Sequence, residues 1–171
     1  MLFRSAFGSD PRYRSVYVSQ RPDLMIVFDR ALGGSAASAY SQLWHLGPTL
    51  RVTTVGPSSA IATAPGTKLT LARVALPGQV IAPGSTTVAR GQTDPYQGWV
   101  SDQMLQRTPA DTVTMTSTGP SAAMLTLLVP TAPATPVTYS VSGPTAGPWT
   151  LRVTVGATAT SYTVTADGTI S

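Results

Sequence analysis

The chain has 171 residues, only 11% of them charged, and a formal net charge of +4 at pH 7. That length fits one domain, and because the acidic side chains are all Asp, with no Glu, strong helix formers are scarce and a helical bundle is excluded. The absence of cysteine removes disulfides, thiol catalysis and thiolate-bound zinc, and leaves the compartment open.

The 15 Gly and 15 Pro stand among many Thr, Val and Ser, a composition suited to short β-branched strands divided by tight turns. Residues 13–19 alternate polar and apolar, Arg21-Pro22-Asp23 makes a turn, and residues 24–29 are a continuous apolar run closed by Asp29. This predicts a hairpin whose second strand is buried on both faces. Residues 31–38 are rich in alanine, but Gly33 and Gly34 would cost a helix about 1 kcal/mol each, so a loop is expected. Strands follow at 39–46, 50–55, 60–63, 68–74 and 86–90, divided by Gly-Pro and Pro-Gly turn signals. After the aromatic loop Pro95-Tyr96-Gln97-Gly98-Trp99 come strands at 112–118, 122–129, 137–141, 149–155 and 161–165, ending on the turn Ala166-Asp167-Gly168-Thr169. The spacing predicts an all-β fold, an antiparallel β-sandwich of roughly 10–14 short strands. Residues 131–136 resemble a linker but are short. The strands of 131–171 are therefore expected to complete the sandwich of 1–130 or to form a small β subdomain.

The residues carry no complete active site. His45 is the only histidine; alternation puts it with Leu43 on one strand face and Gln42, Trp44 and Leu46 on the other. It is the one catalytic candidate, and a hydrogen-bonded structural histidine is the simpler reading. No metal site is assigned, since one histidine and scattered Asp residues match no ligand spacing. No serine lies in a nucleophile-elbow motif, and no phosphate-cradling loop precedes a helix, so no cofactor, nucleotide or nucleic-acid partner is assigned. Tyr96 and Trp99 flank Gly98 in a loop, where aromatic rings serve as stacking platforms for sugars. Arg12, Arg14, Arg21 and Arg30 crowd the first hairpin. Arg12 and Arg14 exposed together would bind anions, and pairing with Asp10, Asp23 or Asp29 is the simpler fate. The charge surplus suits anionic partners such as acidic polysaccharide or nucleic acid, and solubility is the simpler reading of it. Residues 1–8 are too short and polar for a signal peptide, and no apolar run approaches the roughly 18 residues of a membrane span. The chain reads as soluble, or as a piece of an exported protein.

Residues 14–48, with Arg14, the Pro22 turn, the apolar strand ending in Asp29-Arg30, and Gln42-Leu43-Trp44-His45-Leu46-Gly47-Pro48, resemble the C-terminal β-sandwich of the heparinase II/III family of polysaccharide lyases. The resemblance continues in Arg90-Gly91, in Tyr96-Gln97-Gly98-Trp99-Val100-Ser101, in Pro109-Ala110 and in Leu125 to Pro130. It implies β-elimination: a base takes the proton α to a uronate carboxyl, nearby groups stabilise the enediolate, and an acid assists the leaving oxygen. In the family Tyr and His supply those transfers, from an N-terminal helical toroid and the first part of the sandwich. The resemblance places both upstream of this chain. His45 matches the family's strand histidine, a position assigned to the interior pattern, and the second histidine that members often carry is absent from residues 37–40.

Three readings follow. The first is a non-catalytic sandwich that supports or lines an acidic-polysaccharide cleft, with an upstream catalytic domain or partner chain, in a parent protein that is extracellular or at the cell surface. The second is a carbohydrate-binding or adhesion module using Arg14, Tyr96 and Trp99. The third is a structural, oligomer-forming β protein.

Overall fold

The computed structural model describes residues 2–7, 10–101 and 103–171, with the side chains of 2–7 and of Asp10 outside the description. Among these residues every regular element is a strand, and the fold is all-β and antiparallel. A seven-stranded sheet runs in the order β1 (Leu2–Phe7), β2 (Asp10–Gln20), β3 (Asp23–Ala31), β14 (Ala122–Thr131), β7 (Thr67–Val74), β6 (Ser59–Ala64) and β5 (Arg51–Val55). A second sheet orders β4 (Ala39–His45), β13 (Asp111–Thr118) and β8 (Thr86–Arg90), and a third β15 (Val137–Ser142), β16 (Trp149–Val155) and β17 (Thr158–Val164). Two ladders of two residues each complete the set: β9 (Gln92–Thr93) with β10 (Tyr96–Gln97), and β11 (Trp99–Val100) with β12 (Thr108–Pro109). Every strand expected from the sequence is present, and residues 32–38 form a loop. The additional strands are β1 and the two-residue ladders, which are too short to show a period.

The large sheet lies between the two small ones. Side chains alternate across a strand, so Leu24, Ile26 and Phe28 of β3, Leu125, Leu127 and Val129 of β14, and Ala72 and Val74 of β7 face one side. There they form a buried cluster with Trp149, Leu151 and Val153 of β16 and Tyr162 and Val164 of β17. The alternate residues Leu71 of β7 and Met124 of β14 face the other side, where Ala60 and Ala62 of β6 join them against Val113 and Met115 of β13. This double covering is why β3 and β14 read as continuous apolar runs instead of alternating. In β16 the alternation is clean: Trp149, Leu151 and Val153 are buried while Thr150 and Arg152 are exposed.

Two buried charges join the sheets. Asp111 of β13, 4% exposed, accepts the backbone N–H of Val52 at 2.6 Å and Arg90 Nη1 at 3.2 Å, which ties β5 and β8 to β13. Arg73 of β7 is 5% exposed and donates to the Thr116 carbonyl at 2.7 Å. Burial without a facing carboxylate lowers its pKa from the ordinary arginine value.

Candidate functional site

Two hollows hold the residues singled out in the sequence. The first is a cleft of about 480 Å³ where β2 and β3 meet the start of β4, lined by Arg12, Tyr13, Arg14, Asp29, Tyr40 and Gln42, among others. Arg12 and Arg14 are two residues apart on β2 and so project on the same side. The register of β2 with β3 sets Arg14 opposite Asp29. Arg14 Nε donates to Asp29 Oδ1 and Nη2 to Oδ2, both at 2.6 Å, a bidentate pair that fixes the guanidinium plane. Hydrogen bonding to Asp29 raises the Arg14 pKa above its ordinary value, against an opposing effect of partial burial.

Behind this pair lies a buried polar chain. Gln42 of β4, 2% exposed, donates from Nε2 to Asp29 Oδ2 at 2.8 Å, and its Oε1 accepts Thr126 Oγ1 at 2.6 Å. The chain from Thr126 through Gln42 to Asp29 anchors the carboxylate from within the core, so Arg14 is held at a set position on the cleft wall. Arg12 is exposed and forms no ion pair among the described residues. Of the two outcomes anticipated for these arginines, Arg14 takes the pairing with Asp29, and Arg12 pairs with no described carboxylate. The side chain of Asp10, a third possible partner, lies outside the described residues.

The second hollow, of about 380 Å³, lies between the outer face of β4 and the hairpin that carries Tyr96 and Trp99. The two rings stack with centroids 6.0 Å apart and planes 13° apart. The Arg107 guanidinium sits over both, 4.6 Å from the Trp99 centroid and 5.5 Å from that of Tyr96, and its Nη1 donates to the Tyr96 hydroxyl at 3.0 Å. Trp99 Nε1 donates to the Gln92 carbonyl at 2.9 Å. Gly98 between the rings has φ +80°, and a Cβ there would stand 2.5 Å from Arg90 Cα. Only glycine lets the hairpin lie this close to β8, with the Gly98 carbonyl accepting the N–H groups of Gly91 and Ala110.

His45 belongs to this second hollow, which departs from the interior position that the resemblance assigns to it. Alternation does place it with Leu43, away from Gln42, Trp44 and Leu46, but the face it shares with Leu43 is the exposed outer one. Its Nδ1 is 3.1 Å from Thr112 Oγ1 on β13. The structure thus brings Tyr96, Trp99 and His45 together and places Arg14 in a different hollow. Arg107 and Gln42 were not singled out in the sequence. Arg107 carries no local pattern, and Gln42 could have been noticed only as the polar residue among inward-facing Trp44 and Leu46. Among the described residues no three His, Cys, Asp or Glu side chains gather as a metal-binding group, and no helix is long and apolar enough to cross a membrane.

No family model matches this sequence, and no curated protein matches it significantly. Solved structures do resemble it. The heparan sulfate lyase HepC from Pedobacter heparinus superposes with a TM-score of 0.70 at 14% identity, over 95% of this chain and 25% of the lyase. The chain has the fold of part of a heparinase III. A second structure, described as a heparinase III gene product, superposes with a TM-score of 0.67 at 12% identity, over 96% of this chain and 25% of its own. The chain thus spans a quarter of the length of these heparinase III structures, and at such identities the likeness concerns the fold. The structural likeness is thus to structures of the kind that the sequence segments resemble, and it shows a shared fold.

Proposed function

We propose that this chain is the non-catalytic β-sheet portion of a polysaccharide-lyase-like protein, forming one wall of a cleft for an acidic polysaccharide. The catalytic groups would come from an N-terminal portion or a partner chain. The observation that carries this reading is the shared fold over nearly the whole chain with a quarter of two lyase structures. The cleft at Arg14 fits it chemically. Arg12, which forms no ion pair among the described residues, offers its guanidinium to a carboxylate or sulfate, while Arg14, held by Asp29, supplies a fixed edge.

β-Elimination needs a base at the proton α to the carboxyl and an acid at the leaving oxygen, both positioned on one sugar unit. The cleft holds Tyr13 and Tyr40 and three arginines, Arg12, Arg14 and Arg30, and the single histidine lies in the other hollow. This supports a wall that binds and orients substrate, with the proton transfers supplied by residues outside it.

The test is incubation of the chain with heparan sulfate and with alginate, followed by the ultraviolet absorbance of the unsaturated uronate product. No turnover is expected from the chain alone, and sustained product formation sinks the non-catalytic reading. Retention on immobilised heparan sulfate should fall with rising salt and with Arg12→Ser. Retention unchanged by that substitution removes the cleft from the proposal.

A further inference from the structure

The second hollow differs from the cleft in its chemistry. Its walls are Leu43 and His45 of β4 on one side and Pro95, Tyr96, Gln97 and Trp99 on the other, and no Lys, Arg, Asp or Glu lines it. Leu43 is 47% exposed and Tyr96 59% exposed. An apolar side chain and a ring that line the same hollow are thus open to water, and a ligand with an apolar face would bury both. Two polar atoms remain for that ligand. His45 Nδ1 is engaged with Thr112, which leaves Nε2, and Gln97 donates through Nε2 to Thr114 Oγ1 at 3.1 Å, which leaves Oε1. Arg107 does not line the hollow; its guanidinium is taken up by the faces and hydroxyl of the aromatic pair.

We propose that this hollow is a binding site for a neutral pyranose unit of an oligosaccharide, separate from the cleft at Arg14. A pyranose presents a flat face of C–H groups, which stacks on Tyr96 and meets Leu43, and hydroxyls at its rim, which pair with His45 Nε2 and Gln97 Oε1. An anionic sugar is disfavoured, because no Lys or Arg lines the hollow and the nearby Arg107 guanidinium is taken up by the two rings, so desolvating a carboxylate or sulfate there costs more than the contacts return. Arg107 is the positioning residue. By bridging Tyr96 and Trp99 it holds the rings in the binding geometry before a ligand arrives, which lowers the ordering cost on binding. The inference does not rest on the lyase reading, since it uses other residues and another class of sugar.

The experiment is calorimetric titration of the intact chain with cellohexaose, xylohexaose and mannohexaose, and with a trigalacturonate as the charged comparison. At least one neutral hexaose should bind saturably and more tightly than the uronate. Tyr96→Ala and His45→Ala should each weaken it about tenfold or more, Arg107→Ala should weaken it less, and Arg12→Ser should leave it unchanged. Tyr96 and His45 are exposed, so these variants should keep the parent melting temperature, and Leu43→Ser provides an independent third wall. Failure of every neutral sugar to saturate overturns the proposal. So does binding indifferent to Tyr96, His45 and Leu43 substitution, and so does tighter binding of the uronate.

Discussion

The Asp29 carboxylate accepts three side-chain hydrogen bonds, two from Arg14 and one from Gln42. Asp29→Ala would leave the buried Gln42 amide without an acceptor, and is expected to cost about 1–3 kcal/mol in urea denaturation. Arg14→Ala should cost less, since the Arg14 side chain is 47% exposed and the remaining carboxylate keeps Gln42. The pairing of Arg14 with an aspartate was legible in the sequence, because it needs only the hairpin register. Gln42 was not, because its partners Asp29 and Thr126 lie on other strands. A pH effect belongs to the C-terminal turn. Asp167 accepts the Thr165 hydroxyl and the Thr169 backbone N–H, and these bonds hold its pKa below the ordinary 3.8. The turn's stabilisation is complete above that ordinary value and is lost as pH falls through the lowered one. Protection of the Thr169 amide, relative to its intrinsic exchange rate, should therefore fall only as pH drops below the ordinary carboxylate value, and Asp167→Ala should lower that protection at neutral pH. Protection at Thr169 unchanged by both would show that the carboxylate does not hold the turn.

Strands β8 and β16 begin and end where turn signals and alternation place them, because a strand's limits follow from local residues. The ladders at 92–100 and 108–109 escaped that reading, since two residues show no period; the close fit of Gly98 on β8 sets them. The same hairpin forms the second hollow, so its wall of Pro95, Tyr96 and Trp99 was visible only as an aromatic loop. Burial on both faces of β3 predicts unequal costs along the first hairpin. Phe28→Ala, which empties a position 1% exposed against Trp149, should cost about 3–5 kcal/mol, whereas Val18→Ala, 64% exposed, should stay within about 0.5 kcal/mol. Equal midpoint shifts for the two in denaturant titration would contradict the layering.

At the scale of the whole molecule, the third sheet covers Leu24, Ile26, Phe28, Leu125 and Leu127 of the large one. We propose that residues 131–171 complete the fold of 1–130 and do not stand apart from it. A chain ending at residue 131 should then bind a hydrophobic dye and self-associate in light scattering, and a monomeric truncation with cooperative unfolding would argue for separate units. The sequence by itself determined every strand except β1 and the two-residue ladders, the all-β character and the two arginines on one side of β2. All of these rest on alternation and turn chemistry within a few residues. The resemblance to lyases also lay in local segments, from Arg14 to Pro48 above all. What only the tertiary structure decided is which strands share a layer and which side chains share a hollow. Pairing β14 with both β3 and β7 joins segments about a hundred and about fifty residues apart. Closing such distances depends on matched apolar faces and leaves no local mark. For that reason His45, read as interior, lies on an outer face beside Tyr96, and Arg14 belongs to a separate cleft.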